Sequence, residues 1–153
     1  MTPDVNVLAA ASRRDHPQHA PAAAWLDGAL ADAGRGGRLT VLPMVAAGFL
    51  RVATHPRVFD PPTPTAQAVE FVEGLLARPG VEWLGLESEW RAFAALCRDQ
   101  DLRGNDVPDA WIAAAVLDRH GHLVTFDRGF RRLLPARALT VLDPADADVP
   151  PGR

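Results

Sequence analysis

Apolar residues along this chain recur in two rhythms: steps of three and four, which mark helices, and short runs, which mark buried strands. Ala22, Trp25, Leu26, Ala29, Leu30 and Ala33 follow the first rhythm and predict an amphipathic helix closed by Gly34. A second helix is predicted from Pro43 to Ala53, with Pro56 helping to end it. Thr63 is placed to cap a third helix with Pro64 at its first position; Val69, Val72, Leu75 and Leu76 share one face, and Arg78-Pro79-Gly80 stops it. Glu87 or Ser88 opens a fourth, bearing Trp90, Phe93, Ala94 and Cys97. In the fifth, Pro108 suits the first turn, Ala110, Ala113, Ala114 and Leu117 recur at helical spacing, and Gly121 is the stop.

Between the helices lie short apolar runs. Strands are predicted within residues 1–8, 39–42, 81–86, 122–126 and 139–142. Pro3 limits pairing at the start of the first, which places Asp4 and Asn6 within or just after it. Residues 9–17 read as a polar loop, residues 60–64 as an extended Pro-rich connection, and the tail from Asp143 as frayed. Strands and helices alternate, so the expected class is α/β, a parallel sheet covered by helices.

Composition narrows the function. At 153 residues the chain is read as one domain with a real core about residues 2–143. It carries no long apolar run and no signal-peptide pattern, so a cytoplasmic protein without a membrane partner is expected. Cys97 is the single cysteine and reads as a small core residue. All 16 basic residues are arginine, which excludes a Walker A loop and Schiff-base chemistry, both of which need lysine. The net charge of −3 argues against a passive nucleic-acid coat, but not against an enzyme that meets nucleic acid through a bound cation.

Two carboxylates occupy telling places. Asp109 opens the fifth helix, and Asp127 follows the fourth strand, where ligands bind in open α/β sheets. The plainer alternative makes Asp109 a helix-dipole residue and Asp127 a turn former.

Asp4-Val5-Asn6, the phrase FLRVATHPRVF from Phe49, PDAWIAA from Pro108 and TFDRGF from Thr125 together resemble the PIN-domain family, and within it the VapC-type toxins of bacterial type II toxin–antitoxin pairs. The resemblance spans roughly residues 2–143 in the family's order. It implies a three-layer α/β/α fold with a five-stranded parallel sheet, Mg²⁺-dependent ribonuclease activity (Mn²⁺ as a substitute), a homodimer, and neutralisation by a cognate VapB-type antitoxin. It carries the metal-binding and catalytic role onto Asp4, Asp109 and Asp127, with Asn6 and Thr125 as supporting polar residues.

The sequence departs from the family's pattern twice. Gly48 stands where many members have a glutamate, and Gly129 where many have a further aspartate. Asp106 is the candidate for a missing ligand. These departures keep open a catalytically impaired PIN domain that serves as a binding module. Carboxylates suit a hard cation that keeps several waters, and such a cation can stabilise charge on a phosphodiester. An acidic site needs arginines to meet RNA; Arg13, Arg14, Arg51 and Arg128, with Arg131 and Arg132 beside them, are the candidates, each weighed against an ordinary surface charge. A phosphotransfer receiver domain also gathers aspartates at strand ends, but that class uses a lysine absent here. His16, His19 and the His120/His122 pair carry no catalytic expectation, and Trp25, Trp83, Trp90 and Trp111 read as core or dimer surface before base-stacking platforms.

Overall fold

The computed structural model describes residues 1–85 and 89–143. These residues hold five short strands, the first three each followed by a pair of helices: β1 Thr2–Pro3, α1 Val5–Ser12, α2 His19–Ala33, β2 Leu39–Val41, α3 Pro43–Ala53, α4 Thr65–Leu76, β3 Val81–Trp83, α5 Trp90–Asp99, α6 Asp106–Asp118, β4 Leu123–Thr125 and β5 Leu139–Val141. A 3-10 helix, Arg128–Arg132, follows β4. The strands form two parallel ladders, β1-β4-β5 and β2-β3. The Thr40 N–H donates to the Met1 carbonyl at 2.8 Å, which ties the two ladders together at their β1 and β2 edges. The architecture is three-layer α/β/α, as expected. Among the described residues no helix is long and apolar enough to cross a membrane.

Most predicted elements stand where the periodicity put them, but the N-terminus differs. The first strand is two residues long, and residues 9–12 belong to α1 rather than to a loop. The cause is Asp4. Its backbone is extended and its carboxylate accepts the Val5 N–H, so it caps a helix at once and ends the strand. The helix it starts is almost wholly interior: Val7, Leu8, Ala9 and Ala10 are buried.

Three further expectations change in detail. Thr63 does not cap α4. Pro64 is the N-cap, and the Thr63 hydroxyl accepts from Arg13 Nη1 at 3.2 Å. The third strand stops at Trp83, and Trp83 is 51% exposed rather than core. His120 (φ 50°), not Gly121, takes the left-handed turn after α6, while the Gly121 N–H reaches back to the Val116 carbonyl at 2.8 Å. Glu87 and Ser88, offered as the start of α5, and the tail from residue 144 lie outside the described residues; Glu89 is the residue that precedes the helix.

One continuous core joins α2, α3, α4, α6 and the sheet, centred on Phe49, Phe130, Leu39, Leu42 and Leu123, all nearly or fully buried. Helix α6 is buried on several sides, through Ala110, Ile112, Ala113, Ala114, Ala115 and Val116. Small residues let it lie close to its neighbours, and this fixes the start of the helix beside the ends of β1 and β4.

Candidate functional site

Three chain reversals bring the acids together. Asp4 caps α1 at the end of β1, Asp109 lies in the first turn of α6, and Asp127 follows β4 and caps the 3-10 helix. Each is held where helix N–H groups point outward, a place that favours negative charge. All three line one cavity of about 890 Å³, along with Asn6, Asn105 and Arg51. The first turn of α3, through Pro43 and Met44, lines it as well.

Asp4 is 5% exposed and its carboxylate is heavily engaged. Oδ1 accepts the Val5 N–H at 2.6 Å. Oδ2 accepts the Thr125 hydroxyl at 2.6 Å and Asn6 Nδ2 at 2.9 Å. Asn6 Nδ2 also donates to Thr125 Oγ1 at 3.0 Å, and the Phe126 N–H donates to Asn6 Oδ1 at 3.2 Å. Thr125 Oγ1 further accepts the Asp127 N–H at 2.9 Å. Asp4, Asn6, Thr125 and the Asp127 backbone thus form one network. Burial pushes the Asp4 carboxyl above the ordinary carboxylate range, the hydrogen bonds from Thr125 and Val5 pull it down, and the charge of Asp127 raises it.

Asp109 is half-buried, and its carboxyl is pushed up to about 6. Burial is the largest cause, followed by the charges of Asp4, Asp127 and Asp106, with Arg132 acting the other way. Like charges crowded into a partly dry cavity favour a bound cation, and an all-oxygen donor set suits a hard one. Among the described residues, however, no three His, Cys, Asp or Glu side chains stand close enough to grip one ion together. Water between ion and carboxylate is therefore part of any fit, as Mg²⁺ tolerates well.

The other candidates divide sharply. Asp106 is not on the cavity; it accepts from Arg132 Nη2 at 3.3 Å. Arg128 lies 3.8 Å from Asp143, and Arg131 lines a separate small pocket with Leu134 and Val141. Arg13, offered as a phosphate contact, is consumed inside the fold. Its Nε and Nη2 donate to Asp15 at 2.9 and 2.6 Å, its Nη1 to the Pro61 carbonyl at 3.0 Å, and it lies over the Phe59 ring. Arg51 faces the cavity and is the only cationic side chain lining it among the described residues. Asn105 and Trp111 also line it and were not expected as site residues; a polar residue before a helix and an aromatic within one carry no distinguishing mark in sequence.

Gly48 has a packing reason. A Cβ there would lie 2.7 Å from Val5 Cγ2, so α1 and α3 approach one another through the missing side chain. At Gly129 a Cβ would stand 3.0 Å from Asp127 Oδ1, and the Gly129 N–H donates to that same oxygen at 2.6 Å.

Residues 1–133 match the PIN-domain family model. The chain belongs to the PIN-domain family. Its relatives place this PIN domain among the VapC-type toxins. It is 38% identical over 141 residues to Ribonuclease VapC31 of Mycobacterium tuberculosis, covering 88% of this chain and 93% of the relative. It is 40% identical over 141 residues to Ribonuclease VapC43 of the same species, covering 92% and 94%. The crystal structure of VapBC2 from Rickettsia felis, bound to a DNA fragment from its promoter, superposes with a TM-score of 0.62. That match covers 93% of this chain and 98% of the other, at 16% identity, and speaks to the PIN fold alone.

Proposed function

We propose that this PIN domain is the toxin of a type II toxin–antitoxin pair and a Mg²⁺-dependent endoribonuclease that hydrolyses RNA phosphodiesters. The observation that carries this reading is the meeting of Asp4, Asp109 and Asp127 on one cavity, with Asp109 held at about 6 by burial and by its acidic neighbours. Relatives named ribonucleases, alike over most of their length, support it.

In this reading Asp4, Asp109 and Asp127 hold Mg²⁺ or Mn²⁺, in part through water. The bound ion supplies neutralising charge for the phosphoryl oxygens and a lowered pKa for the attacking water. The chain does the rest. Thr125 and Asn6 fix the Asp4 carboxylate, and the Gly129 N–H fixes Asp127. The raised Asp109 carboxyl marks crowded negative charge that a bound cation would relieve. Val5, Met44, Val52 and Ile112 give the cavity an apolar wall beside the acids. The partners proposed are an RNA substrate, a second copy in a homodimer, and a cognate VapB-type antitoxin. The VapC-type relatives support the last.

Cleavage of RNA by the purified protein with Mg²⁺ tests the reading. Wild type cuts, and Asp109→Asn and Asp4→Asn do not; cleavage at the wild-type rate by Asp109→Asn would overturn it. A second reading, a PIN domain that binds without cutting, is favoured by the closure of position 48 against Val5. Induced expression in a bacterial host separates the two. A nuclease toxin arrests growth and a small neighbouring gene relieves the arrest, whereas a binding module leaves growth unchanged.

A further inference from the structure

Helix α5 is amphipathic yet buries none of its residues fully. Its aromatic side chains continue a line that begins in the acidic cavity. Trp111 lines the cavity beside Asp109 and is 43% exposed. The Phe93 ring stands 6.3 Å from that of Trp111, and the Trp90 ring 5.6 Å from that of Phe93. Trp90, at the outer end, is 68% exposed. The row is held in place: Trp111 Nε1 donates to Glu89 Oε1 at 3.2 Å, and this spends the polar edge of the indole within the protein and leaves its faces for contact.

On the same cavity, Arg51 is exposed and makes no ion pair among the described residues, although three carboxylates share its cavity. An unpaired guanidinium at the mouth of an acidic cavity is matched to an anion. Exposed indoles at the two ends of the row, with the partly buried Phe93 between them, are matched to flat, sequence-tolerant partners. A strand of unpaired RNA presents both features along its length, bases on one side and phosphates on the other. A purely apolar protein segment would leave Arg51 unanswered.

We infer that Trp111, Phe93 and Trp90 form a stacking track for bases of single-stranded RNA flanking the cleaved phosphate, with Arg51 anchoring a phosphate on the same cavity. This inference rests on the ribonuclease reading and adds to it the side chains that hold the strand beside the cleaved phosphate. The track selects against duplex, whose bases are already stacked on one another. Trp90 lies outside the cavity and contributes affinity, not chemistry.

The test is binding of a short fluorescein-labelled single-stranded RNA of mixed sequence, followed by anisotropy with Ca²⁺ in place of Mg²⁺ so that a cation offsets the acidic cavity without supporting cleavage, with the same RNA annealed as a duplex for comparison. Trp90→Ala and Trp111→Ala are expected to weaken single-strand binding by roughly 5- to 100-fold each, and Trp90→Phe to restore most of it. Arg51→Ala weakens binding and reduces its salt dependence. Duplex binds more weakly, and Trp90→Ala does not alter it. Trp90→Ala binding like wild type overturns the track. So does a Trp90→Ala protein whose light-scattering mass falls while its RNA affinity holds, because the row is then a surface between copies. If wild type cleaves RNA but the ring variants bind normally, only the track fails. If wild type neither binds nor cleaves, the ribonuclease reading falls with it.

Discussion

The Thr125 hydroxyl donates to Asp4 Oδ2 at 2.6 Å, joining residues 121 positions apart in the chain. Thr125 is fully buried, and its oxygen also accepts the Asp127 N–H and Asn6 Nδ2. One hydroxyl therefore links the ends of β1 and β4 and sets the position of two acids. Thr125→Val keeps the shape but leaves a buried carboxylate and a backbone N–H short of a partner. We expect a loss of about 1–3 kcal/mol in urea unfolding, with Thr125→Ser recovering most of it. Equal stability of Thr125→Val and wild type would contradict the network.

Asp109 links stability to pH. Its folded pKa, about 6, lies above the ordinary value of 3.8. A carboxyl raised in the folded state binds its proton more tightly there than when unfolded. Its stabilising contribution is complete below about 3.8 and is lost as pH rises through about 6. In EDTA, wild type should therefore lose melting temperature between about pH 4 and pH 7 relative to Asp109→Asn. Asp109→Asn should melt higher than wild type near neutrality while failing to cut RNA. Parallel melting curves for the two proteins across this range would refute the coupling.

Arg13 and Arg51 predict opposite phenotypes. Arg13 ties Asp15 to the 59–63 segment through hydrogen bonds and the Phe59 ring, so Arg13→Ala should lower the melting temperature by about 2–4 °C and leave RNA affinity alone. Among the described residues Arg51 has no such internal partner. Arg51→Ala should keep the melting temperature and lower the slope of log affinity against log salt by about one. Calorimetry and salt-titrated binding on both variants check the pair, and exchanged phenotypes would reverse the assignment.

The contrast between those two arginines shows where the sequence stops informing. Helical periodicity and Gly/Pro punctuation marked α2 to α6, and short apolar runs marked the places of all five strands, because each signal is local. Helix α1 was hidden because it is interior on most sides and so shows no polar face; the strand before it was expected, but its two-residue length was not, because Asp4 ends it by capping α1. Asp4, Asp109 and Asp127 were legible because each stands at the end of an element, where a turn must place it. Which arginine reaches the cavity depends on the path of residues 55–63, and no spacing encodes that path. The exposure of Trp83, Trp90 and Trp111 was equally invisible, since an amphipathic pattern marks a face without saying what covers it.

The same geometry bears on how many metal ions the site holds. Two ions about 3.5–4 Å apart need carboxylates to share between them. Position 48 cannot supply one, because any side chain there meets Val5. Gly48→Glu should destabilise the fold by about 1–3 kcal/mol through overpacking, and Val5→Ala in the same chain should relieve part of that. Position 129 supplies a backbone N–H to Asp127 instead of an acid. Asp106 is turned to Arg132, away from the cavity. Three aspartates remain, and Asp4 already accepts three hydrogen bonds. Mg²⁺ keeps several waters and is bound by one or two carboxylates, so this set suffices for one ion and leaves little for a second. Titration calorimetry with Mn²⁺ on the RNA-free protein should give one site per chain, lost in Asp109→Asn and kept in Asp106→Asn. Two sites per chain, or loss of the single site in Asp106→Asn, would show that Asp106 leaves Arg132 to complete a larger metal centre.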